Sequence, residues 1–205
     1  MCTITVCYVG DPETGEQALA PLRGFGRPLL DLVKARPYTE LQTLVDATVP
    51  HSWHYYWKTA NLPAVHDQLA GILVEHAARS RSPWSYTVLF HLGGAVSAVE
   101  ADATAYSRRD AVHSLNINAV WLPHEPIGED EAAWARDFHR AVEPHRQGAY
   151  VNFLDRDDRD QLPEVFGDAT YTRLVALKDR YDAGNVFSSN HNIRPSTAAA
   201  PGTGP

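Results

Sequence analysis

Alternating apolar and polar residues predict five strands along the chain. Three of them lie in its middle, at residues 51–58, 84–91 and 113–121. A fourth is predicted near the amino terminus, at residues 3–9, and a short fifth at residues 148–153. The middle three are rich in aromatic and β-branched side chains, as strands of a packed sheet usually are.

Apolar residues also recur at helical spacing between these strands. The segments with this spacing are 16–22, 41–45, 65–76, 129–142 and 171–178. Strands that intermix with helices of this length indicate an α+β fold, in which helices pack on one face of a large antiparallel sheet. We expect one domain over residues 1–195, followed by a disordered tail of Ala, Pro, Gly and Thr at residues 196–205.

If the bulkier side of each strand packs on the helices, the other side of the sheet is open and polar. Tyr150 and Asn152 are two residues apart, so on a strand they would join this side. The predicted open face carries His54, Tyr56, Thr87, His91, Asn116, Asn118, Tyr150 and Asn152. Such a face serves either as a ligand platform or as a solvated surface.

Charge and composition exclude several classes of function. A formal charge of −7 argues against nucleic acid as a partner. No apolar run is long enough to span a membrane, and the polar amino terminus favours the cytoplasm. Cys2 and Cys7 are five residues apart and cannot bridge on one strand, and no zinc-ligand spacing occurs. The acidic run 155–160 is interpreted as a solvated loop without a metal.

Spaced residues near the carboxy terminus form an ordered series. The series reads Tyr150-x-Asn152, Tyr171-x-Arg173-Leu174-x-x-x-Lys178, Tyr181-Asp182-x-x-Asn185-x-Phe187 and Asn192-Ile193-x-Pro195. It resembles the signature of the berberine-bridge-enzyme-like FAD-linked oxidases, with Ala183-Gly184 where that family usually has Pro-x. Earlier motifs, among them Leu92-Gly93-Gly94-Ala95-Val96, extend the resemblance over residues 4–195.

The resemblance implies a substrate-binding domain whose open sheet face forms the roof of an active site over FAD. It implies Asn152, Asn190 and Asn192 as cofactor contacts, and it makes His54, Tyr56, Thr87, Asn116 and Asn118 candidates for substrate contact. The family's FAD-binding domain is absent from this sequence, so we do not expect this chain alone to hold FAD tightly.

Two positions where members of that family place a catalytic residue hold Ala98 and Phe153 here. Neither side chain can take a proton. On the predicted open face, Tyr150 and His91 are therefore the remaining candidates for a base.

Three functions agree with the sequence. The first is the substrate-binding half of a FAD-linked oxidoreductase, which oxidises an alcohol, a sugar or a secondary metabolite by hydride transfer to flavin. Its FAD-binding domain would be either a separate chain or missing, as in a truncated product. The second is a cofactor-free cyclase, isomerase or lyase on the same scaffold. The third is a non-catalytic binding domain, whose open sheet face could be covered in a homodimer.

Overall fold

The computed structural model describes residues 1–106 and 108–197. The chain divides into two compact units, residues 1–51 and residues 52–205, and each is described by itself. The predicted tail at residues 196–205 falls outside the described residues from residue 198 onward.

The first unit is helical where it has regular structure. Helix α1 spans Pro12–Arg23, and Asp11 caps it by accepting a hydrogen bond from the Thr14 N–H at 2.9 Å. Helix α2 spans Tyr38–Gln42. The strand predicted at residues 3–9 is wrong, because within the described residues of this unit no strand is present to pair with it.

The second unit contains a three-stranded antiparallel sheet. Its strands are β1 (His54–Leu62), β2 (Tyr86–His91) and β3 (His113–Trp121), in the spatial order β1-β3-β2. β3 matches its predicted bounds, whereas β1 begins three residues later than predicted and runs four residues further, to Leu62.

Helices α3 (Asp67–Ala77) and α4 (Gly128–Val142) pack on one face of this sheet. The core between the layers contains the fully buried Leu115, Ile117 and Phe138. Burying each such side chain contributes about 1.5–3 kcal/mol. The sheet with helices on one face confirms the predicted α+β class.

The carboxy-terminal part adds a second, smaller core. Helices α5 (Leu162–Phe166) and α6 (Asp168–Tyr181) follow a stretch of short turns, and Ala149 and Leu154 pack with α5 in this core. The strand predicted at residues 148–153 is wrong, because Val151–Phe153 forms a 3-10 turn. The backbone instead pairs briefly with β1 just before this turn, where the Asn61 N–H donates to the Gly148 carbonyl at 2.9 Å.

Among the described residues, no helix combines the length and apolar character that crossing a bilayer requires.

Candidate functional site

The strand register divides the predicted open face into two groups. Residues that pair directly across neighbouring strands share a face. Asn116 pairs with Thr59 and Val88, and Asn118 pairs with Trp57 and Tyr86. These residues lie on the face away from α3 and α4, which we call the helix-free face.

Four of the predicted residues lie on the opposite, helix-packed face. Tyr56 pairs with Ala119 and Thr87 pairs with Ile117, and both partners belong to the core. His54 and His91 have the same strand parity as Tyr56 and Thr87. The prediction that all of these residues share one face with Asn116 and Asn118 is therefore wrong.

The cause is that two of the strands have bulky side chains on both faces. In β1, Tyr55 and Trp57 outweigh His54 and Tyr56 when only residues 51–58 are considered. The strand continues to Ala60 and Leu62, and because these two aliphatic residues are buried against the helices, the even-numbered residues of β1 face the helices. In β2, an edge strand, Tyr86, Val88 and Phe90 point away from the helices despite their size.

The helix-free face buries polar atoms that have no hydrogen-bond partner among the described residues. These atoms are Trp57 Nε1, Asn61 Oδ1, Ser114 Oγ and Asn116 Oδ1. Leaving such a group unpaired costs about 1–3 kcal/mol. A row of unpaired donors and acceptors on one face therefore favours a polar ligand that supplies the missing partners.

Burial changes along this face. At one end Asn61 is 1% exposed and Ser114 is 3% exposed, and the ring of Phe153 lies 5.7 Å from that of Phe90. At the other end Tyr86 is 39% exposed. On β1 and β3 the end beside the Val151–Phe153 turn is thus the more buried one, and Trp57 and Asn118 lie at the more open end. The edge strand β2 is exposed at both ends, since Phe90 is 43% exposed.

Tyr150 and Asn152 lie at the more buried end. The Asn152 amide donates a hydrogen bond to Tyr150 Oη at 2.7 Å, so the two side chains are brought together without a strand. The ring of Phe153 meets the Tyr150 ring edge-on at 5.0 Å, and the Tyr106 ring meets it at 6.0 Å. Phe153, at one of the two substituted positions, is therefore a packing residue beside Tyr150.

His91, the second predicted base, is not placed beside Tyr150. Its side chain alternates away from Phe90 and faces His113 across the strand pair, with ring centroids 5.3 Å apart. The two predicted bases thus approach opposite faces of the sheet. Ala98, at the other substituted position, is exposed and follows the 3-10 turn Gly94–Val96.

The asparagines predicted near the end of the chain lie in a different setting. Asn190 is exposed, with a left-handed backbone at φ 56°. Asn192 lines an open cleft of about 590 Å³ between α6 and residues 187–193, and its Oδ1 is buried without a partner among the described residues. The cleft contains no residue of the helix-free face, so Asn192 does not share a pocket with Asn116.

The signature residues beside this cleft build a turn. Lys178 Nζ donates both to the Asp182 carboxylate and to the Phe187 carbonyl, the latter at 2.6 Å. Asp182 accepts from the Val186 N–H at 2.7 Å and from the Phe187 N–H at 3.1 Å. The Lys178 hydrogen bond, followed by these backbone donors, lowers the pKa of Asp182. The Tyr-Asp-x-x-Asn-x-Phe motif therefore has a structural role here.

A buried ion pair on β1 was not predicted from the sequence. Lys58 Nζ lies 2.8 Å from Asp158 Oδ1, and each side chain is only 8% exposed. Burial lowers the pKa of Lys58, but the hydrogen bond and charge of Asp158 outweigh it, so the net shift is upward. The interpretation of residues 155–160 as a solvated loop is wrong at Asp158. The sequence signal was Lys58 itself, which lies between Tyr56 and Ala60 on the side of β1 that faces the helices.

Glu131 is a second buried carboxylate that the sequence did not reveal. It lies in the first turns of α4, and accepts from the Arg81 N–H at 2.7 Å and the Ser82 N–H at 3.0 Å. The Ser85 hydroxyl also donates to it, at 2.5 Å. Glu131 thus fixes the loop that leads into β2, which is a structural role.

The helix-free face fits part of FAD, the cofactor that the resemblance implies. Its unpaired Trp57 Nε1, Ser114 Oγ and amide oxygens suit the polar edge of a flavin ring or of a substrate. The side chains that the register places on this face are uncharged, so none of them can balance a diphosphate. The chain therefore fits the ring side of the cofactor and does not supply its phosphate site on this face.

The chain is similar to several known proteins. Residues 149–194 match the family described as "Berberine and berberine like". The chain is 28% identical over 194 residues to a FAD-linked oxidoreductase of Dictyostelium discoideum, covering 94% of this chain and 42% of that protein. It is 31% identical over 209 residues to the uncharacterized FAD-linked oxidoreductase YvdP of Bacillus subtilis, covering 96% and 44%.

A solved structure shares the fold. Chitooligosaccharide oxidase superimposes with a TM-score of 0.74 at 22% identity, over 92% of this chain and 45% of that one. The chain thus spans less than half the length of the relatives that it matches. By its signature and its relatives, this chain is a part-length relative of the berberine-bridge-like FAD-linked oxidoreductases.

Proposed function

We propose that this chain forms the substrate-facing sheet of a FAD-linked oxidoreductase that oxidises an alcohol, a sugar or a secondary metabolite. The FAD-binding part would be supplied by a separate chain or by further sequence of the same protein. The observation that carries the proposal is the helix-free face, where buried polar atoms lack partners beside the signature residues Tyr150 and Asn152.

Each group on this face has a defined role in the proposal. Asn116 and Asn118 hydrogen-bond substrate hydroxyl groups, and Trp57 and Tyr86 flank Asn118 as apolar contacts on the same face. The uncharged lining favours a neutral substrate, since a charged group would be desolvated there without a counter-charge. His54, Tyr56 and Thr87 have no such role in this proposal, because they lie on the helix-packed face.

Tyr150 is the proposed base. Oxidation of an alcohol removes a hydride from carbon and a proton from oxygen, and bound FAD would accept the hydride. Tyr150 Oη would take the hydroxyl proton after giving up its own proton to solvent, and the hydrogen bond that Asn152 donates holds this oxygen in position. The cofactor contact predicted for Asn152 thus becomes a positioning role for Tyr150.

The first experiment mixes the purified chain with FAD and records the absorbance spectrum after gel filtration. We expect no flavin bands to remain, because the helix-free face offers no counter-charge to the diphosphate. Adding a matching FAD-binding chain should then restore retained flavin and oxidation of neutral alcohols or sugars. If flavin is retained by both chains together but no such substrate is oxidised, the proposed reaction is wrong.

A second experiment tests the base. Tyr150→Phe should lower kcat about 10²–10⁴-fold in the reconstituted enzyme, the usual contribution of a positioned base. Tyr38→Phe is the matched control, because Tyr38 is an exposed tyrosine of the first unit. Equal activity of the two variants would remove Tyr150 from the mechanism.

The same uncharged face also favours a second candidate, a cofactor-free isomerase, cyclase or lyase. Its specific support is that Phe153 occupies a position where related oxidases place a catalytic residue, while Tyr150 keeps a proton-accepting oxygen. Turnover of a neutral substrate without flavin and without oxygen, lost in Tyr150→Phe, would establish this reaction.

Sedimentation of the isolated chain tests the third candidate, a binding domain that dimerises through the helix-free face.

A further inference from the structure

Two histidines face each other at the end of the sheet, on its helix-packed side. His91 ends β2 and His113 begins β3, and the antiparallel register pairs them directly. Their ring centroids are 5.3 Å apart, and the ring planes are inclined by 60°. They are separated by 22 positions in the chain, so only the strand register brings them together.

This separation suits two imidazoles bound to one metal ion. A metal–nitrogen bond of about 2.1 Å places each ring centroid about 3.2 Å from the metal. At a tetrahedral angle the two centroids are then about 5.2 Å apart. The observed centroid distance of 5.3 Å matches this value.

Both imidazoles are available as ligands. His91 is exposed, and Nδ1 of His113 is buried without a hydrogen-bond partner among the described residues. Gly93 leaves room for the His91 ring, because a Cβ at this position would lie only 2.7 Å from His91 Nε2.

Another histidine pair in the chain provides a contrast. His66 and His145 have ring centroids 5.0 Å apart. Nδ1 of His66 already accepts a hydrogen bond from the Leu69 N–H at 3.3 Å and so caps α3. That pair has an assigned structural role, whereas His91 and His113 have none in the sheet or in the proposed reaction.

We propose that His91 and His113 form a binding site for a divalent transition-metal ion such as Ni²⁺, Cu²⁺ or Zn²⁺. Within the described residues no group of three or more His, Cys, Asp or Glu is placed to hold a metal, so water completes the coordination shell. The ion binds reversibly and fixes the edge strand β2 to β3. The site is independent of flavin and of the reaction proposed above.

The test uses the full 205-residue chain, free of affinity tags that contain histidine. Ni²⁺ binding is measured by calorimetry, and the melting temperature is measured with free Ni²⁺ about 100-fold above the dissociation constant. Binding to the folded state alone should raise the melting temperature by about 5–10 °C. Cu²⁺ electron paramagnetic resonance should show two coordinated imidazole nitrogens.

Three variants decide the result. His91→Ala changes an exposed side chain and should keep the fold, weaken Ni²⁺ binding at least about 10-fold and leave one imidazole in the Cu²⁺ spectrum. His113→Ala should do the same if it folds. His124→Ala, at an exposed turn, should bind like the parent protein. Unchanged affinity in His91→Ala, or a parent spectrum with a single nitrogen, would overturn the proposal.

Discussion

The helix-packed face and the helix-free face belong to the same three strands, but they bury different chemistry. On the helix-packed face, Leu115 and Ile117 are fully enclosed by α3 and α4. On the helix-free face, Ser114 and Asn116 are almost as deeply buried, yet they hold polar atoms without partners in the described part of the chain. The aliphatic centre of the first face stabilises the fold, although Tyr56 Oη, Thr87 Oγ1 and His113 Nδ1 around it also lack partners among the described residues. The second face retains a cost that a ligand could remove.

The largest expected effect lies in the helix-packed core. Phe138→Ala should lower the free energy of unfolding by about 3–5 kcal/mol, because it removes a fully buried ring that stacks on His76. Urea denaturation of the isolated chain measures this loss. Phe187→Ala is the control, since Phe187 is exposed, and it should change stability by less than about 0.5 kcal/mol. Similar losses in both variants would contradict the assignment of the core.

The ion pair at the edge of β1 should give an effect of similar size. Asp158→Ala leaves Lys58 buried and unpaired, which should cost about 3–5 kcal/mol of unfolding free energy. Replacing both residues, as in Lys58→Met with Asp158→Leu, should recover most of the loss.

An exposed ion pair is the control for this measurement. Asp130→Ala breaks the pair with Arg81, in which both side chains are more than half exposed, and should cost less than about 1 kcal/mol. If denaturation shows the same small loss of unfolding free energy in Asp158→Ala as in Asp130→Ala, Lys58 is not buried.

A smaller effect concerns pH and again the helix-packed side. Burial, and then the charge of Arg146, lower the pKa of His139, which contacts the Thr59 carbonyl at 3.1 Å. Below about pH 6.5 this histidine is protonated in the unfolded chain but stays neutral in the folded chain. The free energy of unfolding therefore decreases as the pH is lowered, by at most about 1.4 kcal/mol per pH unit for this group. Stability measured between pH 7 and pH 5 should depend less on pH in His139→Gln than in His124→Gln.

The smallest effect should have the opposite sign, and it sharpens the comparison between the faces. Asn116→Leu replaces an unpaired buried amide by an apolar side chain of similar shape, and should raise the free energy of unfolding by about 1 kcal/mol. It should also reduce turnover in the reconstituted enzyme, because the group that binds substrate is lost. A destabilised variant would mean that Asn116 Oδ1 has a partner in solution.

The sequence allowed prediction of those elements in which one face is clearly apolar. β3 and α4 show this in Ile117 and Phe138, and both elements were predicted within one residue of their observed bounds. The side of β1 and of β2 that packs on the helices could not be predicted, because both sides of each strand carry large side chains. Only the pairing with β3 shows which side faces the helices.

The candidate site was only partly predictable for a related reason. Asn116 and Asn118 follow from alternation along a single strand, and Tyr150 with Asn152 follows from the signature motif. The pair of Lys58 with Asp158 depends on a tertiary contact that no local pattern encodes.

This ion pair joins residues that lie 100 positions apart in the chain. During synthesis at about 5–20 residues per second, β1 therefore leaves the ribosome roughly 5–20 seconds before its counter-ion exists. Until then Lys58 lacks this counter-ion, and because burying an unpaired charge costs free energy, we expect its side chain to stay in water. The pair, and the burial of Lys58 that depends on it, can therefore form only after Asp158 has been made.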